Sequence, residues 1–374
     1  ELSALLRAAP AASTTAPPPV CPPATGPAAV RLWWGGLTPA QRQWLLDRAP
    51  EQVGALDGVP AADRDLANRA VLRHEQDRLT ALRDVLAAGE GGDRERERIE
   101  RRLAGLAVLA QRLGGTDPRP YLLGVDTAGD GRAIVALGDP DRADNVMTFV
   151  PGMNSRLDGG LGTALDRTAA MGEAALRADP ARSTSAVLWL GYDAPDTLWE
   201  AASARWATES RHDLHDFQEG LAASHEGAIG QQTLVGHSYG ALVIGETARD
   251  VGVRADDLVF LGAPGVGVDH VADLHVDPAT VWAASADNDI VGLAAPSVRQ
   301  YLLEQIWPRY MGDPMPDLWH GRNPAHEGFG GQVLEAANDP NPIDAHLGYW
   351  KDGNPALTNV GMIAAGHDDH TTHL

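Results

Sequence analysis

The chain has 374 residues, 44% of them hydrophobic, enough for one large catalytic domain with a real core plus an accessory segment. Its formal net charge of −21 speaks against nucleic acid and anionic membrane surfaces as partners, because both require a positive footprint. A single cysteine, Cys21, excludes an intrachain disulfide; no Cys/His spacing suits zinc, and no apolar run approaches the roughly 20 residues of a membrane span.

The first residues, "ELSALLRAAPAASTT", lack the basic and apolar regions of a signal peptide. Glu1 stands where a Met would open a chain, which leaves room for a removed upstream part. The compartment, cytoplasmic or exported, and the oligomeric state stay open. Residues 1–30 are rich in Pro, Ala and Thr and read as an extended segment without a core. A helix follows, with Thr38 and Gln41 forming a capping-box pattern around Pro39 at the first helical position. A long helical pattern from Asp57 to Glu90 closes on Gly91–Gly92, and "DRERERIERRLAGLAVLAQRLGG" makes a second helix, charged in its first half and only partly packed. Together they form a helical hairpin within residues 31–117, read as a structural cap or spacer, with a lid or an inhibitor as the alternatives.

From residue 118 to residue 374 the texture changes. "YLLGVDTAGDGRAIVALGD" reads as a β-hairpin around Gly129–Asp130–Gly131, and "NVMTFVPGM" as a buried strand. A helix ("GGLGTALDRTAAMGEAALRADP"), a strand ("TSAVLWLGYDAP") and a long helix from Leu198 to Ser224 come next. The strand "QTLVGHS" and helix "YGALVIGETARDVG" follow, then strands "DDLVFLGAPG" and "ATVWAASADND", a short last strand in "GQVLEAAN" and a helix "PALTNVGMIAAG". Fully apolar strands alternating with helices predict an α/β fold: a mostly parallel sheet with helices on both faces.

The stretch "TLVGHSYGALVIG" places Gly-Xaa-Ser-Xaa-Gly between a predicted strand and a predicted helix, the form of a nucleophile elbow with Ser238 at its tip. A serine needs a base, and the base an orienting carboxylate. In α/β-hydrolases the chain order is Ser, Asp or Glu, then His, at the C-terminal ends of strands. Downstream of Ser238, Asp289 follows a buried strand in "SADNDIVGL"; Asp287 is the second choice and Asp269 the third. The alternative for each is an ordinary turn aspartate. His346 follows the last strand and has the right place for the base; His320 and His326 precede that strand and compete less well. His237 adjoins Ser238, and a sharp turn throws its side chain elsewhere, so it reads as packing or hydrogen bonding. For the oxyanion, the N–H of Tyr239 at the next helix N-terminus and that of Met153 in "VPGMNS" are the candidate donors.

Two His/Asp groups read as non-functional: His212, His215 and Asp216 as a solvated helix face, and the tail "GHDDHTTHL" as a disordered end with weak metal affinity at most. The segment from Gly292 to Asp317, between acid and base, is either a cap with an apolar acyl site or packing at the sheet edge.

The stretches "VPGMNSRLDGGL", "VLWLGYDAP", "LVGHSYGALVIG", "DDLVFLGAPGVGVD", "HGRNPAHEGFGG" and "AHLGYWKDGNPALTNVGMI" together resemble an actinobacterial α/β-hydrolase family catalogued as a domain of unknown function. The resemblance extends upstream to "WWGGLTPAQRQWLLDRAPEQVGALDGVPAADRDLANRAVL" and covers most of the chain after the Pro-rich segment. It implies a triad of Ser238, Asp289 and His346, and a helical region before the hydrolase domain like that of some exported members. It implies little about substrate. "PGMNS" stands where a more open "PGT" turn is usual, so Met153 narrows the expected acyl pocket. The expected activity is cleavage of a carboxylic ester, from a small-molecule or lipid substrate, with no cofactor or metal. Amide cleavage, acyl transfer, a hydratase or lyase, and a non-catalytic secretion-associated protein are the alternatives.

Overall fold

The computed structural model describes residues 26–87, 93–291 and 320–374. Cys21, the Pro-rich stretch through residue 25, the Gly91–Gly92 turn and the segment from Gly292 to Asp317 lie outside the described residues.

Eight strands form one sheet: β1 (Pro120–Asp126), β2 (Arg132–Leu137), β3 (Asn145–Val150), β4 (Thr184–Leu190), β5 (Gln231–His237), β6 (Asp257–Leu261), β7 (Val281–Ala284) and β8 (Gln332–Val333). Their spatial order is β1-β2-β4-β3-β5-β6-β7-β8. β2 is antiparallel to both neighbours and every other pair is parallel. The register pairs Val150 with Gly236, and His237 with Leu261, so β3, β5 and β6 end nearly level and gather their following loops along one edge.

Helices cover both faces because alternate residues of each central strand are apolar on both sides. On one face Met147 and Phe149 of β3 join Leu106 of α5 (Asp93–Arg112), Met171 of α6 (Leu161–Ala178) and a C-terminal helix, Pro355–Ala364. On the other, Val146 and Val150 meet Leu214 and Phe217 of α8 (Arg205–Ser224) and Val243 of α9 (Tyr239–Asp250).

The N-terminal helices are α1 (Pro27–Gly36), α2 (Pro39–Arg48), α3 (Pro50–Gly54) and α4 (Ala61–Ala87). The expected capping box of Thr38 and Gln41 is present at α2. α4 lies along β1, the sheet edge. Asp65 accepts from Leu122 N–H at 2.8 Å, Asn68 donates to Leu122 O at 3.2 Å, and Arg69 donates to Pro120 O at 3.0 Å. An edge strand presents unpaired backbone groups that invite aggregation, and α4 side chains satisfy them here. α5 is seated more firmly than its charged first half suggests: Ile99 is buried, and a Cβ on Gly105 would lie 2.1 Å from Leu157 O. That contact sets α5 directly on the loop after β3.

Four expectations need correction. Residues 27–30, expected to be extended, are helical, since Pro27 opens α1. The helix expected from Leu198 to Ser224 is broken into α7 (Leu198–Ala201) and α8. At the break, Tyr239 Oη donates to Ser203 O at 2.6 Å and His320 Nε2 bonds Ala201 O at 2.7 Å, holding carbonyls that a continuous helix would use internally. The last strand shrinks to Gln332–Val333. The C-terminal tail is ordered: Leu334 bridges His373, Leu374 N–H donates to Val333 O, and Glu335 N–H donates to Thr372 O, so the tail pairs alongside β8.

Candidate active site

Ser238 sits between β5 and α9 with φ 54° and ψ −125°, a backbone conformation that non-glycine residues rarely adopt. Its flanking glycines have steric causes. A Cβ on Gly236 would lie 2.6 Å from Ala241 Cα, and one on Gly240 would lie 2.1 Å from Val150 O. The turn therefore closes only with glycine at both positions. Ser238 N–H is held by Leu261 O at 3.0 Å, while the residue itself stays half-buried at the sheet edge.

The loop after β3 presses against this turn. A Cβ on Gly152 would sit 2.7 Å from Ser238 Cβ and 3.2 Å from Tyr239 N. Tyr192 Oη donates to Pro151 O at 2.6 Å, and Asn154 N–H donates to Pro195 O at 3.0 Å, which clamps the loop on both sides of Met153. The N–H groups of Met153 and Tyr239 donate to no other group among the described residues. Tyr239 N–H also lies at the N-terminus of α9, where the helix dipole favours negative charge.

His346 ends α10 (Pro342–His346), and Asp289 lies five residues beyond β7. His346 Nδ1 is 2.9 Å and 3.0 Å from the two carboxylate oxygens of Asp289, which has no exposed surface. A carboxylate only accepts, so Nδ1 carries the proton and Nε2 is left as the basic nitrogen. Asp289 also accepts from Tyr349 Oη at 2.6 Å and from Val291 N–H at 2.8 Å. Burial alone pushes this carboxyl up, but His346, Tyr349 and the Val291 N–H together hold it below the usual range. Gly262, with φ 54°, leaves the space: a Cβ there would lie 2.8 Å from Asp289 Oδ2 and 3.0 Å from His346 Nδ1.

The structure thus brings Asp289 and His346 into direct contact. Ser238 is tied to them through its neighbour: His237 Nε2 donates to the His346 carbonyl at 3.0 Å, and the two imidazole centroids are 4.7 Å apart. Ser238 Oγ forms no hydrogen bond with His346 here; such bonds are often long before substrate binds. His237 is buried, and burial, followed by the charges of His346 and Arg167, depresses its basicity strongly, so it stays neutral. The other candidates lie elsewhere. Asp287 and Asp269 are exposed and bond neither His346 nor Ser238. His320 is buried against Ala201 O, and His326 accepts from Gly328 N–H in a short turn. Tyr349, Tyr192 and Gly262 escaped sequence reasoning; only the position of Tyr349, three residues after His346, offers a signal.

An eight-stranded sheet of this order, with an elbow after β5 and a buried Asp–His pair from the loops after β7 and β8, is the architecture of α/β-hydrolases. The chain belongs to the alpha/beta hydrolase family, whose model matches residues 126–299. An uncharacterized protein of Mycobacterium tuberculosis strain H37Rv is 33% identical over 93% of this chain and 57% of its own length. An uncharacterized protein of Mycobacterium bovis is 32% identical over 52% of this chain and 76% of its own length. The chain therefore spans little more than half of the first of these curated relatives. Among solved structures, a hyperthermophilic esterase from Pyrobaculum calidifontis matches at 12% identity over 77% of this chain and 97% of that one, with a TM-score of 0.35. A lipase/esterase from Lactobacillus plantarum matches at 17% identity over 50% and 85%, with a TM-score of 0.27. Among the described residues no helix is long and apolar enough to cross a membrane.

Proposed function

We propose that this protein is a serine hydrolase that cleaves a carboxylic ester through an acyl-enzyme. The observation that carries the reading is the fully buried Asp289 carboxylate bound to His346 Nδ1, beside a serine held in a strained turn. Ser238 Oγ attacks the ester carbonyl carbon while His346 Nε2 takes its proton. Asp289 stays ionised, fixes the imidazole tautomer and stabilises the imidazolium. The Met153 and Tyr239 N–H groups receive the developing oxyanion, an arrangement whose individual donors are typically worth about 10²–10³-fold in kcat. The intermediate collapses as His346 returns the proton to the leaving alcohol. Water then attacks the acyl-enzyme with His346 again as base, releasing the acid and restoring Ser238.

The division into a Pro/Ala-rich N-terminal segment, a helical region and a hydrolase domain from residue 118 belongs to the same proposal, as does the narrowing of the acyl pocket by Met153, which is half-buried at the turn. Turnover of p-nitrophenyl esters of increasing chain length tests it. Hydrolysis that favours short acyl chains and disappears in Ser238→Ala and in His346→Ala supports the assignment. Equal turnover in wild type and Ser238→Ala refutes it.

A further inference from the structure

Arg167 stands on the second turn of α6, just beyond the loop that carries Met153. It is half-buried, and burial lowers its pKa. Among the described residues it joins no ion pair and donates no hydrogen bond, although the chain carries 51 acidic side chains against 30 basic ones. Buried Arg64 is paired with Asp57 and partly buried Arg249 with Glu246, whereas Arg31 and Arg132, also partly buried, join no ion pair among the described residues. A guanidinium withdrawn from water without a counter-charge is costly.

The guanidinium carbon lies 5.5 Å from the centroid of the Trp350 ring. Trp350 in turn meets His237 edge-on at 5.5 Å, and His237 lies 4.7 Å from His346. Three successive contacts therefore connect Arg167 to the candidate base. The Trp350 Nε1–H is itself buried and has no acceptor among the described residues. A buried donor is nearly always satisfied, so this one calls for an explanation. Two adjacent groups, one cationic and one neutral, both donate and neither accepts. Only an anionic or strongly accepting group complements the pair, and a planar guanidinium fork suits a carboxylate or a phosphate.

We propose that Arg167 and Trp350 form a subsite for an anionic group on the substrate, so that the preferred esters carry a carboxylate or phosphate away from the scissile bond. This deepens the serine-hydrolase reading and rests on it for turnover. The alternative is that Arg167 only stacks on Trp350, and the two predict different specificities.

The test compares p-nitrophenyl hydrogen adipate and hydrogen suberate with the matched hexanoate and octanoate esters, and adds a 6-phosphonooxyhexanoate ester. The wild-type kcat/KM ratio of charged to neutral ester should be at least tenfold, carried mainly by KM. That ratio should fall at least tenfold in Arg167→Met, be partly kept in Arg167→Lys, and fall a few-fold in Trp350→Phe, which keeps the ring but removes the donor. The carboxylate and phosphate arms identify which anion is preferred. A wild-type ratio of one or less, or an unchanged ratio in the folded Arg167 and Trp350 variants, overturns the proposal. Calorimetric binding of monomethyl suberate to Ser238→Ala separates the two readings. If no ester turns over but this anion binds more tightly than methyl octanoate, with loss in the added Arg167→Met change, the subsite stands and the hydrolase reading falls.

Discussion

Replacing Gly152 with alanine probes the proposed oxyanion turn with the least chemistry, a single methyl group. That methyl would sit 2.7 Å from Ser238 Cβ, 2.8 Å from His237 O and 3.2 Å from Tyr239 N. Carbon atoms in contact rest about 3.5–4.0 Å apart, so relief requires the turn and the elbow to separate by about 1 Å. The turn cannot simply slide, because Tyr192 holds Pro151 O and Pro195 O holds Asn154 N–H. Separation therefore moves the Met153 and Tyr239 donors apart. A displacement near 1 Å can cost about 10²-fold in rate, which corresponds to roughly 2.7 kcal/mol of transition-state stabilisation. The loss should appear in kcat, with KM for a short ester little changed, because the donors act on charge that develops only in the transition state. Steady-state kinetics on p-nitrophenyl acetate, with the melting temperature recorded in parallel, reads the effect. A folded Gly152→Ala protein with kcat within threefold of wild type would refute the reasoning, since the turn would then not have supplied the donors.

Three further substitutions address other parts of the structure. Tyr349→Phe removes the donor at 2.6 Å from Asp289 and leaves the buried Ala286 N–H without its acceptor; stability should fall by about 1–3 kcal/mol in urea unfolding and kcat by roughly tenfold. Because Asp289 is held below its unfolded value, its stabilising contribution is present at neutral pH and lost as pH falls through its folded value, and Tyr349→Phe should shrink that acid-side loss. Asp257 behaves oppositely. Burial, opposed by the Trp282 and Gln231 hydrogen bonds, pushes it up to about 6, so its contribution is full near pH 4 and lost as pH rises through about 6. Asp257→Asn should therefore gain on wild type by about 2 kcal/mol between pH 4 and pH 8, after allowance for partial screening; a pH-independent difference in thermal melts would contradict this. At the sheet edge, Asp65→Ala leaves Leu122 N–H unpaired and Arg69 without its carboxylate, and should cost about 3 kcal/mol. Removal of everything before residue 116 should yield insoluble protein by sedimentation, because β1 would present a bare edge.

The fold was legible where local pattern and global position agree. Apolar strands alternating with amphipathic helices define the parallel sheet, and Gly236-Xaa-Ser238-Xaa-Gly240 between a strand and a helix marks the turn whose glycines are sterically required. Chain order alone singled out Asp289 and His346, and the structure brings these two side chains together. What stayed hidden depends on contacts between distant segments. The interruption between α7 and α8 is held by Tyr239 and His320, 36 and 119 residues away from the carbonyls they bind. The tail becomes ordered only by pairing with β8, which no propensity of "TTHL" announces. Tyr349 and Gly262 matter because of where Asp289 lies, and helical or strand periodicity carries no information about that.

The most direct test of the central claim is to treat the folded chain with a fluorophosphonate and locate the adduct by peptide mass mapping. The account predicts one adduct per chain, on Ser238, absent from Ser238→Ala and formed far more slowly in Asp289→Asn and His346→Ala. No adduct on folded wild-type protein, or an adduct at another residue that survives Ser238→Ala, would contradict it.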